Sequence, residues 1–330
     1  MTSLDYPLLF TPVYKDYLWG GCQFAARYKR AGTPDIAAES WEISDRPEGL
    51  SVVENGPLAG RTLHGLLAAD AAALLGPAAV RGSGFPLLVK LIDAAQWLSV
   101  QVHPHDDNAA RCGGEPKTEC WYILAAQPGA QVMAGFVPDA SEARFRQALT
   151  GKKAAALLQS LPVRKGDLIF IPGGRVHAIG AGCLILEVQQ SSDTTYRLYD
   201  WDRIGADGQP RALHVEEAFR AIRWADPTPS FTPPAGAQTV APGVSVQPLI
   251  ASSYFRLDRV ALGGAWTLPA TAGSFQAWFA AEGSLRLRGA GFDVVCPHGR
   301  TCLLPAAVRD FSVAPASGSA AEAVRIAPGC

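Results

Sequence analysis

A histidine, His177, ends the stretch Gly166-Asp167-Leu168-Ile169-Phe170-Ile171-Pro172-Gly173-Gly174-Arg175-Val176-His177, in which an apolar run enters a Pro-Gly-Gly turn. A strand closed by a tight turn holds a side chain rigidly, as a metal ligand requires. Gln101-Val102-His103 closes a second apolar run before Pro104. Side chains two apart on a strand share a face, so Ser99, Gln101 and His103 project together. Polar groups on such a strand need partners, because burying one unpaired costs roughly 1 to 3 kcal/mol. Glu119 lies in Glu115-Pro116-Lys117-Thr118-Glu119-Cys120-Trp121. Parity puts it beside Lys117 and turns Cys120 away, which keeps a competing thiolate off that face. Together, His103, Glu119, His177 and the amide oxygen of Gln101 offer two nitrogens and two oxygens. That set, with open positions, suits zinc or a similar divalent ion. Singly, the same residues read as a capped histidine, a surface glutamate and a core glutamine, and spacing alone leaves both readings open.

A second constellation follows. Cys183-Leu184-Ile185-Leu186-Glu187-Val188-Gln189 is a nearly continuous apolar strand with one acid. A lone carboxylate there is unfavourable unless it is paired or functional. Glu187 and Gln189 share a face. Downstream, Arg197 and Arg203 stand among Asp193, Asp200 and Asp202. Two arginines in that setting are either ion-paired or placed to grip a phosphate in bidentate fashion.

These residues must be positioned by short strands and turns. Glu39-Ser40-Trp41-Glu42-Ile43-Ser44 has the strand period, residues 85–103 read as two strands around an Asp-Ala-Ala turn, and further strands are expected at 119–125, 167–171, 183–189 and 194–200. Helices are expected at 61–80, capped by Thr62 and stopped at Gly76-Pro77, at 141–160 as one helix or a pair capped by Ser141, and at 214–222. Residues 225–243 carry five prolines and read as a linker. Beyond it, residues 244–328 alternate strand patterns with glycine turns. The whole is expected to be mainly β: two antiparallel jelly-roll barrels with helical insertions. The division expected is 1–226, holding the metal site and the helical segments near 61–80 and 141–160, and 227–330, the linker and a degenerate C-terminal barrel. A weak repeat supports this, since Gly166-x5-Pro172 recurs as Gly299-x5-Pro305, with Ala307 in the place of Gly174 and Asp310 in that of His177. One metal site per chain is therefore expected.

With 330 residues the chain has ample length for one or two domains, and its net charge of -1 leaves no basic surplus, which argues against nucleic acid or an anionic membrane as the main partner. A small-molecule partner suffices, with the chain a monomer or small homo-oligomer. The first ten residues do not resemble a signal peptide, and Leu63 to Val80 is interrupted by His64, Asp70 and Pro77, so no spanning helix is expected. Seven cysteines at irregular spacings read as reduced thiols in a cytoplasmic protein. The 33 glycines and 25 prolines favour turns and short strands over long helices.

Gly166-x5-Pro172-x-Gly174-x2-His177 resembles the second motif of cupin barrels, although the later Asn is missing and Gln101-x-His103 replaces the usual His-x-His. Ser99 to Pro104, Gly114 to Glu119, and Ser191 to Trp201 resemble the type I mannose-6-phosphate isomerases in their shorter bacterial form. Trp19-Gly20-Gly21 and Glu39-Ser40-Trp41-Glu42 resemble that family's N-terminal segments. The resemblance runs over roughly residues 7 to 222 and continues weakly to the end. It implies zinc, one ion per chain, at Gln101, His103, Glu119 and His177. It implies that Arg197 is catalytic, that Lys117 and Glu187 lie in the pocket, and that Ser99 and Arg203 lie near the substrate phosphate. Glu39 and Lys90 are pocket residues or a buried structural pair. His105 departs from the polar residue usual there and offers a spare ligand, while His64 and His214 read as helix residues and His298 as a turn residue.

The reaction so implied is interconversion of D-mannose 6-phosphate and D-fructose 6-phosphate through a cis-enediol. Glu187 is the first choice of base, with Lys117 or a metal-bound water as competitors. The alternatives are a cupin sugar-phosphate isomerase of different specificity and a non-catalytic sugar-binding cupin.

Overall fold

The computed structural model describes residues 4–76, 84–205, 208–226, 228–231, 233, 235–269 and 273–329. The chain is mainly β. It divides into two compact units: Tyr14–Ser40 with Leu91–Thr232, and Met1–Val13 with Trp41–Lys90 and Pro233–Cys330.

In the first unit, Leu168–Ile171, Glu119–Ala126 and Cys183–Gln190 lie side by side in a six-stranded sheet. A five-stranded sheet runs in the order Tyr196–Tyr199, Val100–Val102, His177–Ile179, Gln131–Phe136, Leu158–Pro162. Leu168–Ile171 and Cys183–Gln190 each run antiparallel to Glu119–Ala126, and neighbouring strands of the five-stranded sheet are antiparallel throughout. Ile92, Trp121, Ile123, Ile169, Ile171 and Ile185 from the first sheet share one buried cluster with Val132, Ala134 and Ile179 from the second. The opposite face of the five-stranded sheet, through Val100, Val102, Ala178, Tyr196 and Leu198, is covered by Phe145, Leu157, Ala218 and Phe219. These come from the helices Glu142–Thr150 and Val215–Ala221 and the 3-10 turn Ala154–Leu157. The period of two thus sends Val100 and Val102 outward to the helices and leaves Gln101 and His103 facing the interior.

The second unit holds an eight-stranded and a four-stranded sheet, again sharing one core, in which Val260, Trp278 and Leu304 meet Leu285, Leu287 and Val313. In both copies of the repeated motif a strand begins two residues after a glycine of positive φ: Leu168–Ile171 after Gly166 (91°) and Thr301–Leu304 after Gly299 (75°). A residue with a Cβ adopts that backbone reluctantly, which explains why glycine stands at both turns.

Most expected elements are present. The helix at 61–80 spans Leu63–Leu75 with the Thr62 hydroxyl accepting from Gly65 N, and Asp70 kinks it; positions 77–80 lie outside the described residues. The 141–160 segment differs. Ser141 caps a helix that ends at Thr150, and the later part becomes a 3-10 turn and the strand Leu158–Pro162. That strand pairs with Gln131–Phe136, and an edge pairing outweighs the segment's Ala/Leu composition.

The 225–243 segment is also more than a linker. Buried Arg175 bonds the Asp226 carboxylate through Nε (2.7 Å), the Ser230 hydroxyl (2.8 Å) and the Thr228 carbonyl, while Phe170 N donates to Ser230 O (2.9 Å). Asp226, Thr228 and Ser230 thus form a strap within the first unit. Conversely, Leu8 and Leu9 pair with Leu303 and Cys302, and the backbone amides of Ala306 and Ala307 bond the helix carbonyls of Leu74 and Ala73. The second unit therefore recruits N-terminal segments, and its extent differs from a single boundary at 226/227.

Candidate metal centre

Three side chains converge inside the first unit. His103 Nε2 lies 3.5 Å from Glu119 Oε2, and His177 Nε2 lies 3.5 Å from Glu119 Oε1. All three are buried, and their ligand atoms lie within 4.8 Å of one another. The sheets explain the convergence. Register pairs His177 with Gln101 and Gln101 in turn with Arg197, so Arg197, Gln101 and His177 form one row across three adjacent strands. In the six-stranded sheet Glu119 pairs with Gln189 and Trp121 with Glu187. These four belong to the same face, and Cys120, as parity requires, belongs to the other. Burial pushes the Cys120 thiol well above its ordinary range, which keeps it protonated and inert.

The tautomers are fixed by the backbone. His103 Nδ1 bonds the Thr194 carbonyl at 2.8 Å and His177 Nδ1 bonds the Arg175 carbonyl at 2.9 Å. A carbonyl only accepts, so each Nδ1 carries the proton and each Nε2 presents a lone pair. Burial lowers the His177 pKa to about 3, so this imidazole stays neutral over the working range of most proteins.

The Lys117 ammonium reaches into the set, 3.0 Å from Glu119 Oε2 and 3.2 Å from His103 Nε2. A cation is thus already stabilised beside these donors. A small divalent ion also fits them on size: with bonds of about 2.1 Å, tetrahedral ligands stand roughly 3.4 Å apart, close to the spacing of the Glu119 oxygens from both imidazoles. Gln101 presents its amide nitrogen to His177 Nε2 at 3.2 Å and its oxygen to the Ser99 hydroxyl at 3.0 Å. Serving as an oxygen ligand requires that amide to turn over, and a half-turn about its last torsion is a small motion.

The other residues singled out by sequence have these places. Glu187, buried, accepts from Trp121 Nε1 at 2.9 Å. Gln189 spends its amide nitrogen on the carbonyls of Gln190 and Ser192 (2.8 and 2.7 Å), and its buried oxygen has no hydrogen-bond partner among the described residues. Arg197 donates through Nη1 to Ala212 O at 2.8 Å while its buried Nε has no hydrogen-bond partner there. Its pKa is lowered by burial and then by the nearby Arg211 charge. Arg203 is ion-paired with Asp200 and donates to Trp97 O (2.6 Å), and Asp200 also takes a bidentate pair from Arg211 (2.8 and 2.6 Å). Of the two readings of that arginine pair, ion pairing therefore describes Arg203. His105 is taken up by Asp107 (2.9 Å) and Arg223 (3.0 Å) and does not join the clustered donors. Glu39 and Lys90 are buried. His64 is the second residue of its helix, His214 is an N-cap and His298 is in a turn.

Sequence reasoning missed Trp121, although its place two residues after Glu119 on the same face was a usable signal. It could not find Arg211, whose partner Asp200 is brought to it only by the fold, nor the two backbone carbonyls that set the imidazoles.

Residues 8–128 match the family model for the phosphomannose isomerase type I catalytic domain. The chain is 36% identical over 319 residues to the probable mannose-6-phosphate isomerase GmuF of Bacillus subtilis, covering 94% of this chain and 96% of that protein. It is 37% identical to a mannose-6-phosphate isomerase of Streptococcus mutans, over 81% of this chain and 82% of that one. Its structure superposes on the crystal structure of the Bacillus subtilis mannose 6-phosphate isomerase with a TM-score of 0.87 and 30% identity, covering 97% and 99% of the two chains. No helix among the described residues is long and apolar enough to cross a membrane, and the six described cysteines are free thiols.

Proposed function

The chain belongs to the type I phosphomannose isomerases, and we propose that it is a metal-dependent aldose–ketose isomerase interconverting D-mannose 6-phosphate and D-fructose 6-phosphate. The observation that carries this reading is the buried His103–Glu119–His177 set with Gln101 and Arg197 in the same cross-strand row as His177. Relatives named for that activity match this chain over 96% and 82% of their lengths.

We assign the ion, zinc, to Gln101, His103, Glu119 and His177, one per chain. Bound there, it supplies Lewis acidity toward the sugar oxygens at which charge develops. The donor set contains one carboxylate and otherwise neutral groups, so it leaves the ion a net positive charge. The reaction removes a proton from C2 of the aldose and returns one to C1 through a cis-enediol, with negative charge growing on O1 and O2. Arg197, with a buried Nε that has a donor to spare, adds fixed positive charge at those oxygens. Glu187 is assigned the proton transfer. It is the carboxylate on the site face that lies outside the proposed ligand set, and its strand holds it within one hydrogen bond of Trp121. Lys117, at the edge of the set, orients a sugar hydroxyl and is the competing base. Ser99 and Arg203 are assigned to the phosphate end. Arg203 would reach a phosphate only by sharing it with Asp200, so its contribution is charge rather than a free bidentate grip. The second unit has Asp310 where the first has His177, and we assign it no metal.

The substrate is a small sugar phosphate, and a cytoplasmic location agrees with the free thiols. The test is metal analysis together with a coupled assay on mannose 6-phosphate, with and without chelator. Activity that disappears with chelator and returns with zinc supports the reading. No turnover of any hexose phosphate by the metal-loaded protein overturns it.

A further inference from the structure

The indole of Trp121 stands between the two carboxylates to which the proposed function gives different work. Its Nε1 lies 3.1 Å from Glu119 Oε1 and 2.9 Å from Glu187 Oε1. The arrangement follows from the sheet: Trp121 is two residues from Glu119 on one strand and is the register partner of Glu187 on the next. The ring cannot easily turn. It is fully buried, and it meets the His177 ring edge-on, with centroids 5.4 Å apart and planes at 70°. Packing alone would be served by phenylalanine, and a buried indole N–H demands an acceptor. Here it has two, both carboxyl oxygens, for a single proton.

Resting on the isomerase reading above, we propose that Trp121 is a positioning residue. Its single N–H, shared between Glu119 and Glu187, fixes the metal-ligand carboxylate and the proton-transferring carboxylate relative to each other. A three-centre bond divides its strength between its acceptors. When Glu119 gives electron density to a cation, its hold on the indole proton weakens and the bond passes toward Glu187. Loading of the metal and orientation of Glu187 are thereby linked through one hydrogen atom. The bland reading of Trp121 is core packing, since it also lies in the buried cluster of the unit.

Two replacements separate these readings: Trp121→Phe, and site-specific incorporation at 121 of benzothienylalanine, which keeps the shape of tryptophan and replaces N–H with sulfur. Zinc affinity is measured by competition with a chromophoric chelator, a readout independent of turnover. Both variants are expected to bind zinc about tenfold more weakly, within the range found for lost partners of metal ligands. Both should lose kcat with KM unchanged, while the isosteric variant keeps the wild-type melting temperature. In a double-mutant cycle, Glu187→Gln should alter zinc affinity in the wild-type background and not beside benzothienylalanine. If the isostere matches wild type in zinc affinity and kcat while Trp121→Phe does not, Trp121 is packing only and the inference falls. If the wild-type protein binds no zinc with Glu119 intact, the isomerase reading falls first and takes the inference with it.

Discussion

Lys117 and Glu119 form a buried ion pair, Nζ to Oε2 at 3.0 Å, inside the candidate metal set. The ammonium also touches His103 Nε2, so it competes for two of the donors a metal would use and repels the metal's charge. Replacing it by Lys117→Met should tighten zinc binding about tenfold, equivalent to roughly 1.4 kcal/mol, while kcat falls because a polar group of the pocket is lost. Isothermal titration of the metal-free protein measures the first effect. Weaker zinc binding by this variant would mean that Lys117 organises the ligands rather than competing for them.

Arg197 is held to the row of Gln101 and His177 by strand register and lies outside the proposed ligand set. Arg197→Ala is expected to lower kcat by roughly 10²- to 10³-fold, the usual effect of removing one donor aimed at developing charge, with zinc content unchanged. Near-normal turnover would remove Arg197 from the chemistry.

Glu187→Gln keeps an oxygen acceptor for the Trp121 N–H and removes the capacity to accept a proton. A fall in kcat of about 10²- to 10⁴-fold is expected, together with slowed exchange of the C2 proton with solvent. Exchange at the wild-type rate would move the proton transfer to Lys117 or to water.

The imidazole of His177 titrates near 6.5 when the chain is unfolded and near 3 when buried in the native state. Between those values the unfolded state binds a proton that the native state does not. The metal-free protein should therefore keep its full contribution from this residue above about pH 6.5 and lose stability steadily as pH falls toward 3. Urea midpoints across that window would show the decline, and it should be shallower in His177→Asn. Identical slopes in the two proteins would locate the acid sensitivity elsewhere.

Asp226 secures Arg175, whose carbonyl orients His177. Arg175 is almost wholly buried, so Asp226→Ala leaves its charge without the paired carboxylate and should destabilise the protein by about 3 kcal/mol. Zinc affinity should fall as well, since the strap and the His177 ring share Arg175. A wild-type urea midpoint would show that Thr228 and Ser230 satisfy the guanidinium unaided.

The sequence by itself determined the strands that carry the site residues and the faces those residues occupy. Period-two parity placed Ser99, Gln101 and His103 together, set Cys120 apart from Glu119, and put Glu187 with Gln189, because on a pleated strand this is a purely local property. The same locality identified the caps at Thr62 and Ser141 and the paired glycine turns at 166 and 299. What tertiary structure alone decided is everything carried across sequence distance. It brought Glu119 between two imidazoles, delivered the carbonyls of Thr194 and Arg175 to their Nδ1 atoms, and turned Arg203 toward Asp200. It also made a proline-rich linker into a strap and gave the C-terminal unit its N-terminal strand. Those outcomes depend on sheet register and on which backbone groups are left to be satisfied, and no window along the chain contains that information.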